Sequence, residues 1–114
     1  MKQIEIYLYE VRQNEAVTFE IEPVGVGPRV AAADSGREIP QTGDPNRPNF
    51  TFVADRQPGK HHYVMLDFTF LAQDPEDAYF NLILRGSNGG QFTNIPVVHK
   101  HGSVEDPLFR FKVL

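Results

Sequence analysis

Apolar side chains occupy every second position in six stretches of this chain. The stretches are Ile4-Ile6-Leu8, Val17-Phe19-Ile21, Phe50-Phe52, Val64-Leu66-Phe68-Phe70, Phe80-Leu82-Leu84 and Phe109-Phe111-Val113. Successive side chains of a β-strand point to opposite faces of its sheet, so each set would line one face. The pattern therefore predicts antiparallel β-sheets, each with one apolar face, and it predicts that these six sets form the core.

The four tyrosines take the opposite parity to these apolar sets. They are Tyr7, Tyr9, Tyr63 and Tyr79. We expect them to point outward, because a tyrosine hydroxyl is best satisfied at a wet surface. An outward tyrosine offers a large contact area at little entropic cost, which makes these residues candidates for binding a glycan, a small ligand or a protein. The alternative is that tyrosine is simply a favourable strand residue.

Turn signals divide the chain into about seven strands. We predict them at about 3–12, 16–23, 49–55, 61–71, 78–86, 91–100 and 107–114. Asn14-Glu15 predicts a hairpin between the first two strands, Gln57-Pro58-Gly59-Lys60 a type II turn, and Asn88-Gly89 a further hairpin. The Gly- and Pro-rich stretch 24–48 predicts a long loop, with one short extra strand near 29–33.

This arrangement favours one all-β domain over residues 1–114. Seven short strands separated by turns are typical of a sandwich of two antiparallel sheets, immunoglobulin-like or C2-like in architecture. A small closed β-barrel is the alternative.

A register for the fourth and fifth strands follows from their apolar positions. Pairing Phe70 with Phe80 also places Phe68 opposite Leu82, and it keeps apolar side chains on one face. The opposite face of this pair would then be half apolar. Its candidate interface residues are Tyr63, Met65, Leu71, Tyr79 and Ile83. Either the 24–48 loop or another molecule, namely a protein partner or a second copy of the chain, is expected to cover that face, because solvated sheet faces are usually more polar.

The strand carrying Pro96 and the charged last strand are both expected to be sheet edges that resist open-ended pairing. That expectation makes the face, rather than an edge, the predicted docking surface.

Composition narrows the classes of function. The net charge is −4 and the chain has no cysteine. The acidic balance argues against a nucleic-acid partner, and the absence of cysteine rules out disulfides and thiolate metal ligands. No leader and no membrane-spanning run are visible, so we expect a cytoplasmic protein without a membrane partner. A secreted domain whose leader had been removed would read the same way.

One spacing suggests a metal site. His99, His101 and Glu105 form a His-x-His-x3-Glu pattern, which is similar to the first metal motif of cupin barrels. The resemblance implies a divalent metal held by two imidazoles and a carboxylate, in a metal-dependent enzyme. Thr93 and Lys112 stand where that motif has glycines. The alternative is a strand end followed by a solvated turn, in which case no cofactor is expected.

No serine lies in a nucleophile elbow and no phosphate-binding loop opens a helix. The sequence therefore favours a non-catalytic binding or interaction module, possibly self-associating, that uses an outer sheet face and the 24–48 stretch. The alternatives are glycan or small-ligand binding through the tyrosines, and the cupin-like enzyme.

Overall fold

The computed structural model describes residues 6–27, 29–69, 71, 73–75, 77–86, 95–98, 104–105 and 107–114. All secondary-structure elements within these ranges are β-strands. The strands are β1 (Ile6–Val11), β2 (Ala16–Val24), β3 (Val30–Asp34), β4 (Arg37–Glu38), β5 (Gln41–Asp44), β6 (Arg47–Val53), β7 (His61–Thr69), β8 (Tyr79–Gly86), β9 (Ile95–Val98), β10 (Val104–Glu105) and β11 (Leu108–Val113). These ranges contain no helix of the length and apolarity that crossing a bilayer requires.

The strands form two sheets with open edges. Sheet I has the order β1-β11-β7-β3-β4, and β10 also pairs with β7. Sheet II has the order β5-β6-β2-β8-β9. Only β1 and β11 pair in parallel among the described strands; the other pairs are antiparallel. The predicted all-β sandwich is confirmed, and the closed barrel is not formed.

The core lies between the inner faces of the two sheets. Five of the six predicted sets are buried there in all their described members, for example Phe19, Phe68, Phe80 and Phe109. The ring of Phe19 meets the ring of Phe109 edge to face, with centroids 5.1 Å apart. Aromatic pairs in this geometry add to the stabilisation that burial provides.

The first set is the exception, and its prediction is wrong where the structure describes it. Ile6 and Leu8 point outward and are 59% and 61% exposed. Tyr7 and Tyr9 point inward instead, because the parallel register places Tyr7 beside Phe109 and Tyr9 beside Phe111. Both alternating sets of β1 are large and partly apolar, so alternation by itself did not decide which face turns inward.

The predicted pairing of the strands now numbered β7 and β8 is also wrong. β7 belongs to sheet I and β8 to sheet II, so Phe68 and Phe80 face each other across the interior, with ring centroids 4.7 Å apart. The connection between them therefore crosses the sandwich. Arg29 anchors this connection, since its guanidinium pairs with the Asp74 carboxylate and donates to the Thr69 carbonyl at 3.2 Å.

The predicted hairpin at Asn14-Glu15 is a turn that joins different sheets. Asn14 has a φ of 65°, and the Glu15 N–H donates to the Arg12 carbonyl at 3.1 Å. The strands on its two sides do not pair with each other, because β1 pairs with β11 and β2 pairs with β6 and β8. The prediction of a turn is therefore confirmed, but the predicted pairing of the two flanking strands is wrong.

The stretch 24–48 is not one long loop. It contains β3, which confirms the short strand expected near 29–33, together with β4 and β5. Ser35 and Gly36 link β3 to β4, and both have positive φ, as two-residue hairpin turns of type I′ require.

Two further turn and edge predictions are confirmed. Gly59 has a φ of +89°, and the Lys60 N–H donates to the Gln57 carbonyl at 3.0 Å, as in a type II turn. β9, which contains Pro96, is an edge strand of sheet II. In contrast, β11 lies between β1 and β7, so its charges do not protect an edge. The Asn88-Gly89 turn lies outside the described residues.

Candidate functional site

The outer face of sheet I carries a row of apolar side chains that crosses four strands. The register places Ile6 beside Leu108, Leu108 beside Met65, and Met65 beside Ala33. Residues that pair in register share one face of the sheet, so these side chains are neighbours. Ile6 is mostly exposed, and the other three are half-buried.

A second row lies directly below the first and mixes apolar and basic groups. Leu8 pairs with Arg110, and Arg110 pairs with Tyr63. Leu8 and Tyr63 are both exposed. We call the five large aliphatic, thioether or aromatic residues of these two rows the apolar face. They are Ile6, Leu8, Tyr63, Met65 and Leu108.

A charged row closes the lower end of the apolar face. Glu10 pairs with Lys112, and Lys112 pairs with His61. Together with Leu8, Tyr9 and Arg110, these side chains line a shallow depression of about 430 Å³. A partner that covers the apolar face would therefore also meet charges of both signs.

Tyr7 and Tyr9 do not form an outward platform. Their rings stack on Phe109 and Phe111, with centroid distances of 5.2 Å and 5.4 Å. Burial raises the pKa of the Tyr9 hydroxyl above its ordinary value of 10.0. The two rings close the side of the core beneath β1, which does not favour stacking of a sugar on their faces.

The outer face of sheet II is polar by comparison. Ile83 lies beside Glu20, which accepts a hydrogen bond from Arg85 Nε at 2.9 Å. Arg47 Nη2 donates to the Glu22 carboxylate at 2.8 Å on the same sheet. Alternating ion pairs of this kind are typical of a solvated face.

The predicted interface residues are therefore split between the two sides of the molecule. Tyr63 and Met65 lie on sheet I, whereas Tyr79 and Ile83 lie on sheet II. Leu71 follows β7 in the connection between the sheets, and its N–H donates to the Asp74 carboxylate at 2.7 Å. The single face that the sequence predicted does not exist, because it depended on pairing β7 with β8.

Sequence reasoning missed Ile6 and Leu8 as surface residues. The signal that could have found them is the pair of tyrosines at the alternate positions, since these also carry large apolar rings. The sequence did place Leu108 on the outward side of its strand, because it alternates with the inward residues Phe109 and Phe111. Its position beside Ile6 depended on the parallel pairing.

A buried histidine forms a separate polar cluster at one end of the core. His62 is 1% exposed, and its Nδ1 lies 2.8 Å from Asp34 Oδ2. Its Nε2 makes no hydrogen bond within the described part of the chain and lies 3.8 Å from Asp55 Oδ1. An Asp–His pair can serve as a general base, but here Nε2 is enclosed by protein.

Two of the three predicted metal ligands, His99 and His101, lie outside the described residues. Glu105 belongs to β10, where it pairs with Phe68 of β7. Within the described ranges, no group of three His, Cys, Asp or Glu side chains is arranged to hold a metal ion. The His-x-His-x3-Glu site therefore stays a prediction.

Comparison of the chain with protein-family models, with curated proteins and with solved structures finds no match.

Proposed function

We propose that this protein is a non-catalytic interaction module that associates with a second copy of itself through β1 and the adjoining apolar face. One observation carries the proposal. Ile6 and Leu8, two large aliphatic residues on the same strand, are both about 60% exposed next to Met65 and Leu108. Contiguous apolar surface of this kind marks interaction sites more often than ordinary solvated surface.

The mixed charge of the lower row favours a second copy over a strongly charged partner. Glu10, Lys112 and His61 lie side by side, and Arg110 lies one row above them. A symmetric contact places the same patch on both subunits, so a patch of both signs can match itself. A partner with one dominant sign of charge would meet a like charge in this row.

The expected affinity is modest. Covering one side chain such as Leu8 contributes about 1–2 kcal/mol, because complete burial of a large aliphatic side chain is worth about 1.5–3 kcal/mol. Two such side chains from each copy contribute about 4–8 kcal/mol, which is comparable with the cost of association of about 4–15 kcal/mol. We therefore expect a weak dimer that forms only at high protein concentration rather than an obligate one.

Sedimentation velocity over a concentration series tests this proposal. We expect the wild-type sedimentation coefficient to rise with concentration toward that of a dimer. Leu8→Arg places a charge in the proposed contact, so this variant should remain a monomer at every concentration. Val53→Arg is the matched control, because Val53 is also a large exposed residue, at 48%, but lies on sheet II.

Two results would contradict self-association. The first is a wild-type protein that stays monomeric at the highest attainable concentration. The second is an equal loss of dimer in Leu8→Arg and Val53→Arg, which would show that the apolar face has no special part in the contact.

A further inference from the structure

The open edge of β1 differs from the other sheet edges that the structure describes. β9 contains Pro96, which has no N–H to donate, and β4 has only two residues. β5 has four exposed residues, including Gly43 and Asp44. β1 has six residues, has no proline or glycine, and carries a single charge, that of Glu10. Natural proteins usually blunt a long apolar edge, because it is a template for another strand.

The backbone groups that face this edge can be assigned. The Leu114 N–H donates to the Val11 carbonyl at 2.8 Å, which shows that Val11 bonds toward β11. The N–H and C=O of one strand residue point to the same side, and the side alternates along the strand. Tyr7 and Tyr9 therefore also bond toward β11, whereas Ile6, Leu8 and Glu10 direct their backbone groups to the open edge.

We infer that β1 pairs antiparallel with β1 of a second copy around a two-fold axis at Leu8, joining the two copies of sheet I into one continuous sheet. This inference rests on the self-association proposed above; it brings Ile6 and Leu8 of the apolar face into the contact through the edge of β1 and leaves Met65 and Leu108 outside it. Leu8 would lie opposite Leu8 of the second copy, and Ile6 opposite Glu10 of the second copy. All three edge-facing residues would then be paired, with about six new backbone hydrogen bonds in total.

The other symmetric registers satisfy fewer of these groups. A register centred on Tyr9 pairs Ile6 with Arg12, but the Arg12 N–H already donates to the Glu15 carboxylate at 3.1 Å. A register centred on Tyr7 pairs Leu8 with Ile6 and leaves Glu10 without a partner inside β1. The register centred on Leu8 uses every edge-facing group of the strand.

The side chains also suit this register. On the inner face, Tyr7 would meet Tyr9 of the second copy, which extends the stacks on Phe109 and Phe111 across the dimer. On the outer face, Leu8 would meet its own counterpart. The described strands provide one such edge in each chain, so a two-fold contact uses it completely and the assembly closes at a dimer.

Cysteine cross-linking tests the geometry, because the natural chain has no cysteine. Leu8→Cys places two thiols across the axis, on residues with Cα atoms about 5.5 Å apart, within reach of a disulfide or a one-carbon thiol cross-linker. Ile6→Cys is the matched control with nearly the same exposure. Its two copies would lie about 14 Å apart, four residues along the strand.

We expect Leu8→Cys to shift on a non-reducing gel to twice the 12.9 kDa monomer mass, and Ile6→Cys alone to stay at the monomer mass. Mixing Ile6→Cys with Glu10→Cys should restore the cross-linked dimer, because these positions face each other in the proposed register. Met65→Cys, at the centre of the apolar face, should not cross-link.

The outcomes separate this inference from the proposed function. A wild-type dimer whose Met65→Cys variant cross-links while Leu8→Cys does not would overturn the edge pairing and retain self-association by face packing. A wild-type dimer in which neither variant cross-links, or in which Ile6→Cys alone does, would also overturn the register. A wild-type protein that is monomeric at all concentrations would remove both.

Discussion

Removing the carboxylate of Asp34 should destabilise the fold through His62. The imidazole of His62 is buried in the core, and the hydrogen bond from its Nδ1 to Asp34 Oδ2 is 2.8 Å long. Asp34 lies on β3 and His62 on the neighbouring strand β7. In Asp34→Ala, Nδ1 loses this partner, and the buried Nε2 has none within the described residues.

The expected cost is about 1–3 kcal/mol, which is the penalty for leaving a buried polar group without its hydrogen bond. For 114 residues, an unfolding entropy of about 2.1 cal/mol/K per residue makes 1 kcal/mol equal to about 4 °C in Tm. Asp34→Ala should therefore lower Tm by about 4–12 °C. Asp55→Ala is the control, because Asp55 is 72% exposed and lies 3.8 Å from Nε2, so little change is expected.

A double-mutant cycle shows whether the imidazole is the reason. His62→Leu replaces the buried imidazole with an apolar side chain of similar size, and replacing both partners of a buried hydrogen bond by apolar groups can be nearly neutral. In this background Asp34→Ala leaves no buried nitrogen unpaired, so its additional cost should nearly vanish. Urea unfolding monitored by tyrosine fluorescence gives the four free energies of unfolding.

The same loss of stability for Asp34→Ala in the wild-type and the His62→Leu backgrounds would refute this reasoning. The effect of Asp34 would then come from β3 and its turn rather than from the buried imidazole. Such a local effect has a structural basis, because the Ser35 hydroxyl donates a hydrogen bond to Asp34 Oδ1 at 3.2 Å.

Three further predictions concern the pH range, the core and a turn. Because burial raises the folded-state pKa of Tyr9, the contribution of its neutral hydroxyl to stability should be complete below about pH 10 and be lost as pH rises through the higher folded-state pKa. Tyr9→Phe should remove this part of the alkaline loss of stability in chemical unfolding curves, and an unchanged loss would contradict the prediction. Phe109→Ala should cost about 3–5 kcal/mol in urea unfolding, because the ring is fully buried against Phe19, and a cost below 1 kcal/mol would mean that the core collapses around it. Gly59→Ala should lower Tm by several degrees, since it costs about 1 kcal/mol to hold alanine at a φ of +89°, and an unchanged Tm would show that the turn rearranges.

The alternation of apolar residues was sufficient to identify most of the core. In β2, β6, β7, β8 and β11, one face carries Phe, Leu, Ile or Val and the other carries polar or mixed residues, so the inward face was not in doubt. The type II turn at residues 57–60 and the edge position of Pro96 were equally readable. Each follows from the conformational limits of one or two residues, which act in the same way in any fold.

The candidate site was much less predictable. The apolar face depends on the parallel pairing of β1 with β11, which joins strands from opposite ends of the chain. The Asp34–His62 hydrogen bond likewise needs β3 beside β7, with Asp34 paired to Val64. Neither contact can be predicted from the pattern of residues within a single strand or turn.

The sequence by itself determined the strand class, most inward faces and several turns, because these depend on side-chain alternation and on backbone limits within a few residues. Only the tertiary structure decided that Tyr7 rather than Leu8 turns inward, that Phe68 and Phe80 meet across the core, and that Met65 and Ile83 lie on opposite sides. The physical reason is that burying an apolar side chain contributes a similar free energy whether the neighbouring strand lies beside it in the same sheet or opposite it in the other sheet. The choice between the two is made by the packing of the whole chain.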